Sequence, residues 1–460
     1  MTGDAGVLES SFRDPSGFLF RRNGTLYRQI NRSYAESYEI LIASGLYDDL
    51  VKRGLLIPHR DAEIEPERPE EAYRVIEPEV VPFISYPYEW SFSQLKEAAR
   101  ATLEIEKIAL GHGLTLKDAS AYNIQFLDGR PVFIDTLSFE AYTPGEPWVA
   151  YRQFCQHFLA PLALMAYRDI RLNQLLRVHI DGVPLDLAGS LLPRRSWLNA
   201  RIAMHLHMHA RSQAQYADTH TKIEPPKVNQ NALMGLIDSL SNAVGSLTWR
   251  PEGTEWAEYY RETNYTAAGL DHKKRIIASF LDEIGPGTVW DLGANVGVFS
   301  RLSSGRGIPT VACDIDPACV ERNYRDVREK HESHLLPLVV DLTNPSPAIG
   351  WDNAERRSMI ERGPAEMVFA LALVHHLAIS NNVPLDRIAA FFAEICTYLV
   401  VEFVPKDDSQ VKKLLANRED IFAGYTEDAF EEAFGGFFDT LRKESITDSA
   451  RTLYLMKKRT

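Results

Sequence analysis

The chain has 460 residues, of which 45% are hydrophobic and 25% charged, and its formal net charge is −13 at pH 7. This length exceeds what one ordinary hydrophobic core accommodates, so we expect two or three domains. The acidic balance argues against a general nucleic-acid-binding protein. The sequence contains no apolar run long enough to span a bilayer and no signal peptide at its start. We therefore expect a cytoplasmic protein without a membrane partner.

Cysteine and histidine positions bear on metal binding. The 4 cysteines are scattered without Cys-x-x-Cys pairing, which predicts reduced, mostly buried thiols and excludes a disulfide framework. His205, His207 and His209 stand at alternate positions, but no carboxylate or cysteine completes a site beside them. The sequence therefore predicts no metal centre.

The first elements of the chain show clear periodicity. An Asn-Gly turn between two apolar runs predicts a β-hairpin over residues 13–35. A helical stretch at 34–53 and extended chain at 73–88 follow. The apolar spacing over 92–110 predicts an amphipathic helix. This mixture of elements indicates an α+β domain.

The next segment carries Asp118 and Asn123, five positions apart, and Asp135 at the end of an apolar strand. It resembles the catalytic loop and metal-binding aspartate of kinase-like phosphotransferases. In those families the first Asp receives a hydroxyl proton, and the Asn and the second Asp hold Mg²⁺. The glycine-rich phosphate loop is missing, and Asp-Thr-Leu replaces Asp-Phe-Gly. The resemblance implies a degenerate kinase-like domain, and capping of turns by Asp and Asn is the alternative explanation.

From about residue 256, helix and strand patterns alternate, which predicts a doubly wound sheet. After a lead-in helix at 271–283, a strand ends at Asp291 and is followed by a turn of small residues. Gly293 and Gly297 in this turn allow the backbone to approach a ligand closely. A strand, glycine turn and helix N-terminus bind nucleotide-like ligands in open α/β sheets. The spacing nevertheless departs from the dinucleotide pattern G-x-G-x-x-G.

Acidic residues also follow the second and third strands of this pattern. Asp314 stands about twenty residues after the first loop glycine, where a carboxylate accepts hydrogen bonds from ribose hydroxyls. Asp341 follows the third strand. The fourth strand, predicted over residues 366–377, is an apolar run suited to burial on both faces and carries two histidines at its carboxyl end.

An acidic residue followed by G-x-(G/N)-x-G resembles the first motif of class I S-adenosylmethionine (SAM)-dependent methyltransferases. The later motifs follow in the same order to the end of the chain. The whole chain is similar to a bacterial, nodulation-protein-like family of two-domain methyltransferases. This resemblance implies an α+β accessory domain at 1–220, a linker at 221–255 and a Rossmann-like methyltransferase domain at 256–460.

The resemblance also implies the site residues. Asp314 would bind the ribose and Asp341 the adenine amine. The full cofactor-binding set is Asp291, Gly293, Ala294, Asn295, Gly297, Asp314, Ile315, Asp341 and Leu342. An O or N acceptor requires a base, so His375 or His376 is the hypothesised base, with Glu402 orienting it or binding substrate. One of these adjacent histidines must point away and serve packing.

Three functions follow from these patterns. The leading one is a SAM-dependent methyltransferase that acts on an O or N acceptor, with a small molecule favoured over nucleic acid or protein. The N-terminal domain would select or cover the acceptor. The second is a bifunctional protein with a working Mg²⁺-nucleotide site at Asp118, Asn123 and Asp135. The third is a SAM-binding protein without catalysis. Neither the acceptor nor the oligomeric state can be read from these residues.

Overall fold

The computed structural model describes residues 6–208, 228–254, 265–416 and 419–459. His209 and the part of the predicted linker at 221–227 lie outside these ranges. Among the described helices, none combines the length and the apolar character that crossing a membrane requires.

The chain divides into two compact units. The N-terminal unit comprises Met1–Trp249 together with Ile349–Arg356. The C-terminal unit comprises Arg250–Ala348 and Arg357–Thr460. A short segment from the second half of the chain, Ile349–Arg356, therefore belongs to the N-terminal unit.

The N-terminal unit contains a five-stranded antiparallel sheet in the order β1-β2-β3-β5-β4. Its central hairpin confirms the Asn-Gly prediction, because Arg22 pairs with Thr25 across the turn. Asn23 and Gly24 both have positive φ, 53° and 80°, which suits the twist of a two-residue hairpin loop. The strands are β1 (Gly6–Val7), β2 (Gly17–Arg22), β3 (Thr25–Asn31), β4 (His59–Asp61) and β5 (Ala72–Pro78).

The predicted amphipathic helix is the longest of this unit, Phe92–Gly111. It begins where the Ser91 hydroxyl accepts the N–H of Gln94, an N-cap that satisfies a free backbone donor. Two small sheets follow, β6 (Leu114–Leu116) with β9 (Phe139–Ala141), and β7 (Ile124–Leu127) with β8 (Arg130–Phe133). The other helices are Ala35–Ala43, Leu46–Lys52, Tyr151–Phe154, Ala160–Tyr167, Leu175–Val178, Leu185–Leu191, Ala200–Ile202 and Gln230–Ser246.

The helix Gln230–Ser246 lies within the range 221–255 that the sequence predicts as a linker. Its apolar face is buried through Leu233, Ile237 and Leu240. Lys96 of the long helix donates to the carbonyls of Gly245 and Leu247 near its end. This segment is therefore a packed part of the N-terminal unit, which extends to Trp249.

The C-terminal unit is built on a seven-stranded sheet in the order β12-β11-β10-β13-β14-β16-β15. The first five strands in sequence are parallel, and β16 runs antiparallel to both neighbours. This confirms the Rossmann-like doubly wound sheet, which ends in an antiparallel pair of strands. The strands are β10 (Val289–Leu292), β11 (Thr310–Asp314), β12 (Leu335–Val339), β13 (Ala365–Ala370), β14 (Cys396–Phe403), β15 (Phe438–Ser445) and β16 (Thr452–Lys458).

Helices cover this sheet, as its parallel strands require. The lead-in helix Ala267–Ile284 buries Ile276, Ile277 and Phe280 in the core and ends at Gly285 in the left-handed conformation. The others are Ser300–Ser304, Pro317–Glu329, Leu385–Ile395, Ser409–Leu415 and Glu427–Gly435. The strand order reverses between β10 and β13, so a crevice opens there at the carboxyl ends of the strands.

The predicted fourth strand is too long. The strand β13 ends at Ala370, and Ala372 has a φ of 49° that turns the chain out of the sheet. The N–H of Ala372 donates to Oε2 of Glu402 at 2.8 Å, which holds this turn in place. His376 then begins a π-helical turn that runs to Ser380. The two histidines therefore follow the strand instead of ending it.

Candidate functional site

A cavity of about 280 Å³ lies at the carboxyl edge of the C-terminal sheet. Most of the predicted cofactor-binding residues line it, together with one of the two histidines. These residues are Asp291, Gly293, Ala294, Asn295, Asp314, Ile315, Asp341, Leu342 and His376. Of the predicted site residues, Gly297, His375 and Glu402 are not part of this lining. The sheet thus brings the ends of four strands to one cavity.

The glycine turn forms one wall of the cavity. Gly293 has a φ of 81°, in the left-handed region that favours glycine. Gly297 has a φ of 77°, and a Cβ there would lie 2.6 Å from Nδ2 of Asn323 and 2.7 Å from Nη1 of Arg301. Glycine is thus required at position 297, where it shapes the loop without lining the cavity.

Asp314 ends β11 and is held by backbone donors. Its Oδ2 accepts the N–H of Asn295 at 2.7 Å, and its Oδ1 accepts the N–H of Asp316 at 2.9 Å. Burial raises the pKa of Asp314 to about 6, although these backbone donors act in the opposite direction. Each carboxylate oxygen has a second lone pair, so Asp314 retains the capacity to accept from two ligand hydroxyls.

Asp291 lies deeper in the same wall. The hydroxyl of Ser300 donates to its Oδ2 at 2.6 Å. Burial raises the pKa of Asp291 to about 6, while the Ser300 hydrogen bond and the charge of Lys273 act to lower it. The cavity therefore contains a carboxylate that a ligand cation would stabilise in its charged form.

Asp341 and Ile315 border the other end of the cavity. Oδ1 of Asp341 accepts from the N–H of Thr343 at 2.8 Å and from its hydroxyl at 2.6 Å. The side chain of Ile315 is 53% exposed. Ile315 and Asp341 thus offer the cavity an apolar contact and hydrogen-bond acceptors, a combination that suits a purine ring.

The histidine question is resolved geometrically, because only His376 lines the cavity. His375 is buried, and within the described part of the chain its Nδ1 makes no hydrogen bond. The two rings lie 4.2 Å apart between centroids. Burial, and secondarily the charge of Arg451, lowers the pKa of His376 to about 4. His376 is therefore neutral at physiological pH and a weaker base than the sequence predicts.

Glu402, which the sequence predicts to orient the histidine base or to bind substrate, does not line the cavity. Its side chain is fully buried beneath the cavity. Lys273 donates to its Oε2 at 2.6 Å, and the hydroxyl of Tyr265 and Nη1 of Arg451 approach its Oε1. Burial alone would raise the pKa of Glu402, but Lys273 and Arg451 outweigh it and lower this pKa. Glu402 is therefore a positioning residue that holds the Ala372 turn and the buried cations.

Sequence reasoning missed several residues of the cavity. Lys273 lines it but carries no motif signature. One signal was present, because Lys273 stands three and four positions before Ile276 and Ile277, on the core-facing side of the lead-in helix. A charged residue in an apolar stripe indicates a buried partner or ligand. Other missed lining residues are Leu270, Phe299, Val340, Thr343, Leu371, Ala372, Leu373, Leu377, Ser380, Asn381 and Leu414.

The N-terminal motif residues form a separate cluster. Nη1 of Arg28 pairs with Oδ1 of Asp135 at 2.6 Å, and the hydroxyl of Ser138 donates to the same carboxylate. Burial raises the pKa of Asp135, but Arg28 and the hydrogen bonds from Ser138 and the Leu137 N–H together outweigh burial, so this pKa lies below its usual range. Nδ2 of Asn123 donates to the hydroxyl of Ser138 at 3.4 Å. Asp135 therefore already has a protein cation as its partner.

Asp118 also has protein partners. Its Oδ1 accepts the N–H of Ser120 at 2.9 Å and Nε2 of Gln153 at 2.8 Å. Burial raises the pKa of Asp118 above its usual value. Asp118, Asn123 and Asp135 thus lie close together, as the kinase-like resemblance implies, and their side chains take part in the hydrogen bonds of turns.

Metal-ligand geometry is absent from the described ranges, in which no group of three or more His, Cys, Asp and Glu residues is arranged to hold an ion. His205 contacts the hydroxyls of Tyr151 and Ser239, each at 2.9 Å. Nε2 of His207 lies 2.8 Å from the hydroxyl of Ser196. These two histidines are buried and form hydrogen bonds with neighbouring hydroxyl groups.

The cavity fits SAM by its donors, acceptors and charge. Asp314 offers acceptors for ribose hydroxyls, and Asp341 offers one for an exocyclic amine. Asp291 offers an anion for the amino group of the methionine end. These three carboxylates outnumber the one lysine of the lining, so the cavity favours a ligand with net positive charge such as a sulfonium.

Comparison with known proteins places this architecture in a family. No family model matches the chain. Nodulation protein NoeA from Rhizobium meliloti (strain 1021) is 34% identical over 462 residues, covering 98% of this chain and 96% of NoeA. Among solved structures, the chain is similar to two methyltransferases.

The first is the magnesium protoporphyrin IX methyltransferase ChlM from Synechocystis PCC 6803 with bound SAH, with 16% identity and a TM-score of 0.33, covering 44% of this chain and 92% of ChlM. The second is the N-methyltransferase NodS from Bradyrhizobium japonicum WM9, with 10% identity and a TM-score of 0.31, covering 42% of this chain and 98% of NodS. At the identity and coverage of the NoeA match, the chain belongs to the family of nodulation protein NoeA, and the strand order of its C-terminal unit is that of a Rossmann-like doubly wound sheet.

Proposed function

We propose that this protein is a SAM-dependent methyltransferase that methylates an oxygen or nitrogen atom of a small molecule. One observation carries the proposal: a single cavity joins the carboxylates suited to an adenosyl ligand, Asp314 and Asp341, to the side chains of His376, Ser380 and Asn381. The residues suited to the cofactor and those suited to an acceptor therefore line one cavity. A volume of about 280 Å³ suits small ligands better than a folded macromolecule.

When bound, SAM supplies a methyl group on a positively charged sulfonium, so transfer depends on placement and removal of water. The glycine turn and Asp314 hold the adenosyl end, and the apolar side chains of Leu373 and Leu377 exclude water beside His376. These residues provide placement without a covalent intermediate on the protein.

The role proposed for His376 follows from its low pKa. A neutral imidazole carries one N–H donor and one nitrogen acceptor. With a pKa of about 4, His376 remains neutral above pH 5 and accepts a hydrogen bond from an acceptor O–H or N–H group. Orientation of the acceptor by this hydrogen bond is the main contribution we assign to it, and the proton that the acceptor loses on methylation is released to solvent.

We propose an accessory role for the N-terminal unit. Asp135 is paired with Arg28, so a Mg²⁺ ion at this carboxylate would have to displace a guanidinium at 2.6 Å. The geometry thus favours a methyltransferase over a bifunctional kinase-methyltransferase.

The test is incubation of the full chain with methyl-labelled SAM and the small-molecule fraction of a cell extract. The proposal predicts a labelled product by mass spectrometry and stoichiometric formation of S-adenosylhomocysteine (SAH). Asp314→Ala serves as the matched control and yields no product. Tight binding of SAM without SAH formation with any fraction would instead establish a non-catalytic SAM-binding protein.

A further inference from the structure

Lys273 is a buried lysine in the wall of the cavity. Its side chain is 2% exposed, yet it lines the cavity beside Tyr265 and Asp291. Lysine is almost never fully buried without partners. Burial lowers the pKa of Lys273, and the adjacent Glu402 carboxylate opposes this effect. A desolvated ammonium at a ligand cavity therefore requires an explanation from its contacts.

The contacts of Lys273 are few and well defined. Its Nζ donates to Oε2 of Glu402 at 2.6 Å and lies 3.4 Å from the hydroxyl of Tyr265. Nζ also lies 4.6 Å from the ring centroid of Phe299 and 5.0 Å from that of Tyr265. An ammonium has three N–H donors. Within residues 265–416 and 419–459, these hydrogen bonds leave one donor of Lys273 without an acceptor.

The Glu402 carboxylate does not depend on Lys273 alone. Arg451 approaches its other oxygen at 3.5 Å and forms a two-pronged pair with Asp408, at 2.8 and 3.1 Å. The N–H of Ala372 also donates to Glu402. Lys273 is therefore held by a prearranged cluster and retains a donor at the cavity.

The charges of this wall match an α-amino acid. Lys273 presents an ammonium and Asp291 a carboxylate, and they lie near enough for Lys273 to lower the pKa of Asp291. An α-amino acid zwitterion can place its carboxylate against the Lys273 ammonium and its ammonium against the Asp291 carboxylate. Asp314, which accepts backbone donors at the neighbouring strand end, belongs to the adenosyl side.

We propose that Lys273 binds the α-carboxylate of the methionine end of SAM, while Asp291 binds the α-ammonium. This inference rests on the proposed function, because it takes SAM as the methyl donor. The cluster of Tyr265, Glu402 and Arg451 positions the lysine. Lys273 is a binding residue that fixes the donor end and takes no part in proton transfer.

The experiment is calorimetric titration of the full chain and its Lys273→Met variant with two ligands. SAH carries the amino-acid end, and 5′-methylthioadenosine lacks it but keeps the adenosyl group. A hydrogen bond to a charged group lost at this end should weaken SAH binding by about 10- to 100-fold. Binding of 5′-methylthioadenosine should be unchanged. Asp314→Ala, as the matched control, should weaken both ligands.

A second comparison starts with the unmodified chain alone, so its first part does not depend on a variant that folds. The unmodified chain should prefer SAM over decarboxylated SAM by about the same factor, and Lys273→Met should lose this preference. Equal weakening of SAH and 5′-methylthioadenosine in Lys273→Met, or unchanged SAH binding, would overturn the inference. If the unmodified chain binds none of these ligands, the proposed function fails, whatever the role of Lys273.

Discussion

Two aspartates, one in each unit, teach how a motif differs from a site. Asp135 follows β8 and Asp314 ends β11, and each stands where a ligand-binding acid is expected. Asp135 is paired with Arg28 at 2.6 Å, whereas Asp314 accepts hydrogen bonds from backbone N–H groups and lines a cavity. A carboxylate paired with a protein cation has its charge satisfied. One held by backbone donors beside a cavity keeps its charge and acceptors for a ligand.

The largest expected effect comes from removing each acid in turn. Asp314→Ala removes the acceptor for two ribose hydroxyls, so we expect SAH affinity to fall by about 100-fold. Asp135→Asn should leave SAH affinity unchanged. Titration calorimetry measures both, and comparable losses in the two variants would remove the distinction between the aspartates.

Glycine turns of the two units offer the next comparison. Gly297→Ala adds a Cβ at positive φ and within 2.6 Å of Asn323, so we expect the free energy of unfolding to fall by about 2–4 kcal/mol. Gly24→Ala in the hairpin has positive φ but no neighbour within 4 Å, so about 1 kcal/mol is expected. Denaturant unfolding of both variants tests the ranking, which equal losses would contradict.

Substitution of the two adjacent histidines should affect the methylation rate differently. His376→Gln loses the ring nitrogen in the cavity, and we expect the methylation rate to fall about tenfold. His375→Gln should alter stability more than rate. Because the pKa of His376 is about 4, the rate should show no ionisation of this residue between pH 6 and 8. A rate ionisation near pH 6.5 that His376→Gln abolishes would restore its role as a general base.

Acidification should weaken cofactor binding. The pKa of Asp314 is raised to about 6, so its carboxylate gains a proton as the pH falls from 7 to 5. The pKa of Asp291 is also about 6, so if SAH binds the charged forms of both carboxylates, affinity should fall by about tenfold or more over this range. Asp314→Asn should bind weakly with a flatter profile. By contrast, the pKa of Asp135 is lowered, so its contribution to stability persists until the pH falls below the usual carboxyl range.

The smallest expected effect is a null result at the N-terminal cluster. Addition of ATP with Mg²⁺ should leave Tm unchanged, because the Arg28 pair occupies Asp135. SAH should raise Tm in the same assay. A Mg²⁺-dependent rise with ATP would revive the bifunctional alternative.

Local patterns predicted most of the fold. The Asn-Gly turn identified the hairpin, and the alternation of apolar strands with helices identified the doubly wound sheet. The fourth strand was overextended, because the apolar run through Leu373 and Val374 continues past the point where Ala372 turns the chain. The apolar pattern does not reveal the left-handed backbone conformation of Ala372, because this conformation depends on a hydrogen bond to Glu402, which is distant in sequence.

The site was predictable where a motif positions residues close in sequence. The acids after the first three strands converge because parallel strands share one carboxyl edge. Lys273 and Arg451 were missed, since their roles depend on Glu402, 129 positions from Lys273 along the chain. Only the folded structure shows that Glu402 is enclosed by cations and that His376, not His375, lines the cavity.

The central claim is that the strand ends of the C-terminal unit form one SAM-binding cavity. Titration calorimetry of the full chain with SAH tests it most directly. We predict saturable binding at one site per chain, weakened by about 100-fold in Asp314→Ala and unchanged in Asp135→Asn. Absence of heat and of any Tm shift with the unmodified chain, or equal binding by Asp314→Ala, would contradict it.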